Sequence, residues 1–128
     1  MRALLDTHSF LWFIGGSERL SQRARELIEA RPNVMVVSVA SLWEIAIKHG
    51  LGKLELERPF AELIPAELHR QQIRVLGVEL AHLIELVRLP LHHRDPFDRL
   101  IVAQSRAESL PLISADEALD RYEVERIW

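Results

Sequence analysis

The chain has 128 residues, 48% hydrophobic and 27% charged, with 16 basic against 19 acidic side chains and a net charge of −3; this is the profile of one soluble globular domain, spanning 1–128, that can bury its own core. The absence of cysteine excludes a disulfide framework and a thiolate metal site and points to a reducing cytoplasm, and no apolar run reaches the ~20 residues of a membrane span or a secretory leader. The acidic balance weakly opposes a dedicated nucleic-acid binder, unless the acids gather into one metal site rimmed by basic residues.

Residues 2–5 (RALL) are a short apolar run ending at Asp6 and predict a buried strand. Thr7 then caps a short helix through Phe10, Leu11 and Ile14, closed by Gly15-Gly16. Ser21 opens a second helix, SQRARELIEAR, with Ala24, Leu27 and Ile28 at helical spacing and Pro32 beyond its end. VMVV (34–37) is a run of strand length, followed by a third helix, VASLWEIAIKHG, whose start Ser38 and Ser41 flank and which Gly50 ends. Pro59 starts a helical stretch, PFAELIPAELHRQQ, with Pro65 as a potential kink. IRVLGV (73–78) predicts a strand and ELAHLIELVRL (79–89) an amphipathic helix stopped by Pro90. A charge-dense segment, HHRDPFDR (92–99), leads into a helix to about Glu108; PLIS (111–114) is another short strand, and a last helical turn precedes VERIW. Strands alternating with helices imply βαβ units: an α/β fold with a mainly parallel central sheet of about four to five strands and helices on both faces.

In such sheets ligands bind outside the carboxyl ends of the strands. Four acids from distant parts of the chain meet that condition. Asp6 ends the first strand, Asp116 lies just past the fourth, Asp98 sits in the first turn of the helix begun by Pro96, and Glu44 lies inside the third helix. Three of them have a structural reading as well: Asp6 and Asp116 as helix caps, and Asp98 as a charge at the positive end of a helix dipole. Glu44 is harder to explain that way, because Val39, Leu42, Trp43, Ile45, Ala46 and Ile47 leave little room for a solvated carboxylate, and an unpartnered buried charge is costly. Clustered carboxylates repel unless a cation or shared protons offset them, and hard oxygen ligands without thiols select Mg²⁺ or Mn²⁺. Neither GxxxxGK[ST] nor GxGxxG occurs, so metal-dependent phosphodiester hydrolysis is favoured over nucleotide-triphosphate or dinucleotide chemistry.

LLDTH (4–8), VSVASLWEIAIKHGLGKL (37–54), HRDPFDRLIVAQS (93–105) and ISAD (113–116), taken in order, resemble the PIN-domain ribonucleases, most closely the VapC-type toxins of bacterial toxin–antitoxin systems. The resemblance implies a PIN-like three-layer α/β/α domain whose acidic site falls on Asp6, Glu44, Asp98 and Asp116. It also implies that these acids hold Mg²⁺ or Mn²⁺, with a metal-activated water that cleaves RNA to a 5′-phosphate and a 3′-hydroxyl. Thr7 and Ser114 match small hydroxyl residues of the family pattern, whereas His8 stands where many relatives carry Ser or Asn. Asp95 is an additional acid, either reaching the same cleft or capping the helix that Pro96 begins. Phosphate contacts would come from Arg99 first, then Arg94, Lys48, His49 and Lys53, each of which also reads as a solvated surface charge. His92 and His93 read as a solvated turn, with contact to RNA as the other reading.

The implied partners are an RNA substrate, a small antitoxin whose C-terminal segment enters the cleft, and a second copy of the chain in a homodimer. Leu11, Trp12, Phe13, Leu51 and Leu54 are candidates for these contacts, with core packing as their other reading. An HD-type phosphohydrolase is disfavoured because Arg94 separates His93 from Asp95, and a receiver domain because the paired acids and final lysine are missing. The non-enzymatic alternative is a catalytically inactive PIN-like module that binds RNA or protein, against which stand four intact acids.

Overall fold

Alternate residues of the central strands are apolar on both sides, so the sheet must be covered on both faces. The computed structural model, which describes residues 1–128, meets this demand. Its elements are β1 (Arg2–Leu5), α1 (Thr7–Ile14), α2 (Gln22–Glu29), β2 (Val34–Ser38), α3 (Val39–Gly50), α4 (Phe60–Arg70), β3 (Arg74–Leu76), α5 (Leu80–Arg88), α6 (Pro96–Glu108), β4 (Leu112–Ile113), a 3₁₀ helix (Glu117–Tyr122) and β5 (Arg126–Ile127). The five strands form one sheet in the order β3-β2-β1-β4-β5, and every pairing is parallel.

Side-chain alternation divides the core in two. Ala3, Leu5, Met35, Val37 and Ile113 point to one face and pack with Phe10, Ala24, Ile28, Ile45 and Ile64; Leu4, Val36 and Leu112 point to the other and pack with Ile101, Val102, Leu119 and Tyr122. Each large apolar side chain so buried stabilises the fold by roughly 1.5–3 kcal/mol relative to exposure. The mainly parallel α/β architecture expected from the sequence is therefore the one observed.

Several local expectations need correction. The cap of α1 is Asp6, whose carboxylate accepts from the Ser9 N–H at 2.9 Å; Thr7 is the first helical residue and its hydroxyl is used elsewhere. The strand expected over 73–78 covers only Arg74–Leu76, and α4 continues past Pro65 to Arg70. VERIW supplies a fifth strand, because parallel pairing of Arg126 and Ile127 with Leu112 and Ile113 satisfies backbone groups that a short exposed tail would leave to water. The apolar stripe of α5 faces outward: Leu80, Leu83, Ile84 and Val87 are exposed, and the residue buried against α6 is His82. The His82 Nδ1 accepts from the Glu79 backbone N–H at 3.0 Å, so its proton sits on Nε2, which donates to Glu108 at 2.8 Å.

Candidate metal centre

The strand order reverses at β1, which has β2 on one side and β4 on the other. Crossovers leave this switch point in opposite directions, and in open parallel sheets ligands bind in the crevice at the carboxyl edge of such a point. Asp6 follows β1 directly and Asp116 follows β4 after a two-residue link, so the topology brings two of the four acids to the crevice. Two surface depressions lie at the opposite, amino-terminal edge, and none of the four acids lines either of them.

Glu44 arrives from α3. Ser41, Glu44 and Lys48 follow one another at helical spacing and share a face, so the helix turns this polar stripe inward while Val39, Trp43 and Ile47 are exposed. Glu44 is only 3% exposed. Its Oε1 accepts from the Thr7 hydroxyl at 2.7 Å, and its Oε2 accepts from Lys48 Nζ at 2.5 Å. The Thr7 and Ser41 hydroxyl oxygens lie 3.0 Å apart. Lys48 is accordingly raised above the ordinary lysine range, first by its hydrogen bond to Glu44.

Asp98 comes from the first turn of α6. Asp95 caps that helix, its Oδ1 accepting from the N–H groups of Phe97 at 2.8 Å and Asp98 at 3.1 Å, and Pro96 occupies the first helical position, where its missing N–H costs nothing. Burial pushes Asp98 up to about 7, and the charges of Asp95, Glu44 and Asp6 push in the same direction; His93 opposes them. Asp98 is therefore the hub through which the separate acids interact.

Asp116 caps the 3₁₀ helix, with Oδ1 accepting from the Ala118 N–H at 3.1 Å, while its own N–H is held by Ser114 Oγ at 3.1 Å. Its Oδ2 lies 3.3 Å from His93 Nε2. His93, Asp98 and Asp116 each bring one potential ligand atom to within 4.8 Å of the others. His93 thus departs from the solvated turn expected of it. Its backbone N–H donates to the Tyr122 hydroxyl at 2.7 Å, and its ring packs against the same tyrosine with centroids 5.5 Å apart. The signal in the sequence was its place two residues before an N-cap and five before Asp98; what it lacked was the distant Tyr122.

The basic residues separate into two groups. Arg94 and Lys53 are exposed. Arg99 instead donates to the carbonyls of Pro90 at 3.0 Å and Leu86 at 3.4 Å, capping the end of α5, and His49 Nδ1 pairs with the Leu54 carbonyl at 3.0 Å. His8 is exposed beside Trp12, with ring centroids 5.6 Å apart. Among the apolar candidates for partner contacts, Phe13 is core, Leu11, Trp12 and Leu54 pack partly buried against it, and Leu51 is exposed.

Carboxylate oxygens crowded enough to hold a proton at one of their members, with an imidazole beside them and no thiol, fit a divalent cation. Glu44 and Asp6 are held by hydroxyl, ammonium and backbone donors that fix their orientation, as ligands of a metal generally are.

Residues 3–125 match the model of the PIN domain family. A 58-residue stretch, 45% of this chain, is 38% identical to Ribonuclease VapC16 of Mycobacterium tuberculosis and spans 41% of that protein's length. The fold superposes on VapBC2 from Rickettsia felis, solved bound to a DNA fragment from its promoter, with a TM-score of 0.75 and 16% identity over 99% of this chain and 98% of the other. VapBC-1 from nontypeable Haemophilus influenzae gives a TM-score of 0.69 and 17% identity over 99% and 97%. The family match covers nearly the whole chain and the solved structures share its sheet, so this chain belongs to the PIN domain family.

Proposed function

We propose that this chain is a metal-dependent endoribonuclease, the toxin of a toxin–antitoxin pair, that hydrolyses RNA phosphodiester bonds at Asp6, Glu44, Asp98 and Asp116. The observation that carries the reading is the meeting of acids at Asp98: Asp116 lies beside it, and burial together with the charges of Asp95 at the start of its own helix, Glu44 from α3 and Asp6 from the end of β1 raises its carboxyl to about 7. Such a cluster stabilises nothing by itself and makes sense as a cation site. Membership of the PIN family, a relative named as a ribonuclease and neighbours solved as toxin–antitoxin complexes support the same reading.

The four carboxylates would hold Mg²⁺ or Mn²⁺. When bound, the ion supplies Lewis acidity to the scissile phosphodiester and a water acidic enough to act as nucleophile. The chain's own contribution is orientation. Thr7 and Lys48 pin the two oxygens of Glu44, Ser114 fixes the backbone of Asp116, and Asp95 anchors the helix turn that carries Asp98. Arg94 and Lys53, exposed cations, are suited to RNA phosphates; Arg99, Lys48 and His49 act mainly within the protein.

The antitoxin would cover the crevice and part of the apolar surface around Trp12 and Leu51. The uncharged outward stripe of Leu80, Leu83, Ile84 and Val87 on α5 suits a self-complementary contact in a homodimer, and the working compartment is the cytoplasm. No helix is long and apolar enough to cross a membrane.

The test is to incubate the purified chain with structured RNA and Mn²⁺ or Mg²⁺, with and without EDTA, alongside Asp98→Asn. Cleavage leaving 5′-phosphate ends, abolished by both controls, is expected. Cleavage that survives both would refute a metal nuclease, and binding of RNA without any cleavage would mark an inactive module.

A further inference from the structure

His93 lies outside the four acids, yet its ring sits beside two of them, Asp98 and Asp116. We infer that His93 is a nitrogen ligand of this centre and tilts it towards Mn²⁺ over Mg²⁺. The inference rests on the metal-centre reading above and adds to it a residue and a preference for one ion.

The spacing is the first argument. His93 Nε2 and Asp116 Oδ2 are 3.3 Å apart. A charge-assisted hydrogen bond would draw them to about 2.7–2.9 Å. Adjacent ligands of an octahedral ion, each about 2.1 Å from it, lie roughly 3.0 Å from one another. Asp98 lies near both, with one potential ligand atom from each of the three residues within 4.8 Å of the other two.

The ring is also built into the fold. The His93 side chain is 15% exposed, and the buried Tyr122 holds both its backbone N–H and one side of its imidazole. His92 packs on the same tyrosine, with ring centroids 5.0 Å apart, so the 92–93 turn is clamped at two points. A lone surface histidine would have no such support.

The remaining nitrogen sets the limit of the effect. His93 Nδ1 is buried without a hydrogen-bond partner. When Nε2 gives its lone pair to an ion, the proton must sit on Nδ1, where nothing accepts it. His93 therefore supplies a minor share of the affinity, most of which the carboxylates carry, and that share shows itself in the choice of ion. Mg²⁺ takes oxygen ligands and resists exchanging water for imidazole, whereas first-row transition ions accept nitrogen readily.

Mn²⁺ binding to the purified chain, followed by electron paramagnetic resonance with Mg²⁺ as competitor, tests this. Pulsed spectra of the wild type should show coupling of bound Mn²⁺ to a ¹⁴N nucleus. His93→Gln should lose that coupling and weaken Mn²⁺ binding about tenfold while leaving Mg²⁺ within about twofold. Should the variant fail to fold, the coupling in the wild type decides alone. Mn²⁺ bound without ¹⁴N coupling, and released by Asp98→Asn, would overturn the role of His93 and leave the acidic centre standing. A wild type that binds no Mn²⁺, or an Asp98→Asn chain that binds it equally well, would overturn both.

Discussion

Thr7 donates its hydroxyl to Glu44 across 37 positions of sequence, at 2.7 Å, and so joins the turn after β1 to the middle of α3. Both groups are buried, and the bond orients an acid that would otherwise be anchored by Lys48 alone. Thr7→Val keeps the side chain's shape and removes the donor. It should destabilise the chain by about 1–3 kcal/mol and lower RNA cleavage roughly 10–100-fold, the usual effect of freeing a ligand from its support. Urea denaturation and a cleavage assay would measure both, and Thr7→Ser should restore most of each.

Asp98 makes stability depend on pH in a defined direction. Its carboxyl is raised from 3.8 to about 7 in the folded chain, so the folded state binds this proton more tightly than the unfolded state. The contribution is fully present below about pH 4 and is lost as pH rises through about 7. Without divalent ions, Asp98→Asn should therefore melt above the wild type at pH 8, by roughly 2–5 °C after screening at this partly exposed site, and level with it at pH 4. Equal melting temperatures at pH 8 would contradict the crowding of acids around Asp98.

The same competition between proton and cation predicts that divalent binding tightens as pH rises from 6 to 8. Calorimetric titration with Mn²⁺ should show the affinity levelling off above the Asp98 value, with protons released on binding at pH 6 and few at pH 8. An affinity independent of pH would place the ion away from Asp98.

Lys48 lies against Glu44 where a cation would also be drawn. Lys48→Gln leaves the buried carboxylate short of positive charge, and the metal-free chain should lose about 1–2 kcal/mol, less than a fully buried pair because the lysine is half exposed. Millimolar Mn²⁺ should recover more stability in the variant than in the wild type, since it restores charge at the same acid. Thermal melts with and without Mn²⁺ would show it, and identical increments in the two chains would count against a shared site.

Val87 stands 82% exposed in the apolar stripe of α5. If that stripe joins two copies, Val87→Glu places like charges across the two-fold contact and should convert a dimer to a folded monomer in light scattering. A variant that remains dimeric would move the interface elsewhere.

Much of this chain is written in local pattern. Apolar runs of strand length, the Asp95-Pro96 helix start and the alternation of strands with helices specify an α/β fold and put Asp6, Asp98 and Asp116 at predictable places, because strand ends and helix caps depend on neighbours in sequence. The polar Glu44 in an apolar helix was legible as an anomaly, yet its surroundings were not: the helix buries Glu44 and exposes Trp43 and Ile47, the reverse of what hydrophobicity alone favours. Tertiary structure alone turned Arg99 to the end of α5 and the α5 stripe outward, and made a strand of the C-terminal tail. It also brought Tyr122 beneath His93 and His93 beside Asp116, 23 positions away. Sequence spacing sets which residues share a face of one element. The packing of whole elements around the β1–β4 switch point decides which of those faces meet, and so converts four scattered acids and one histidine into a single charged cluster.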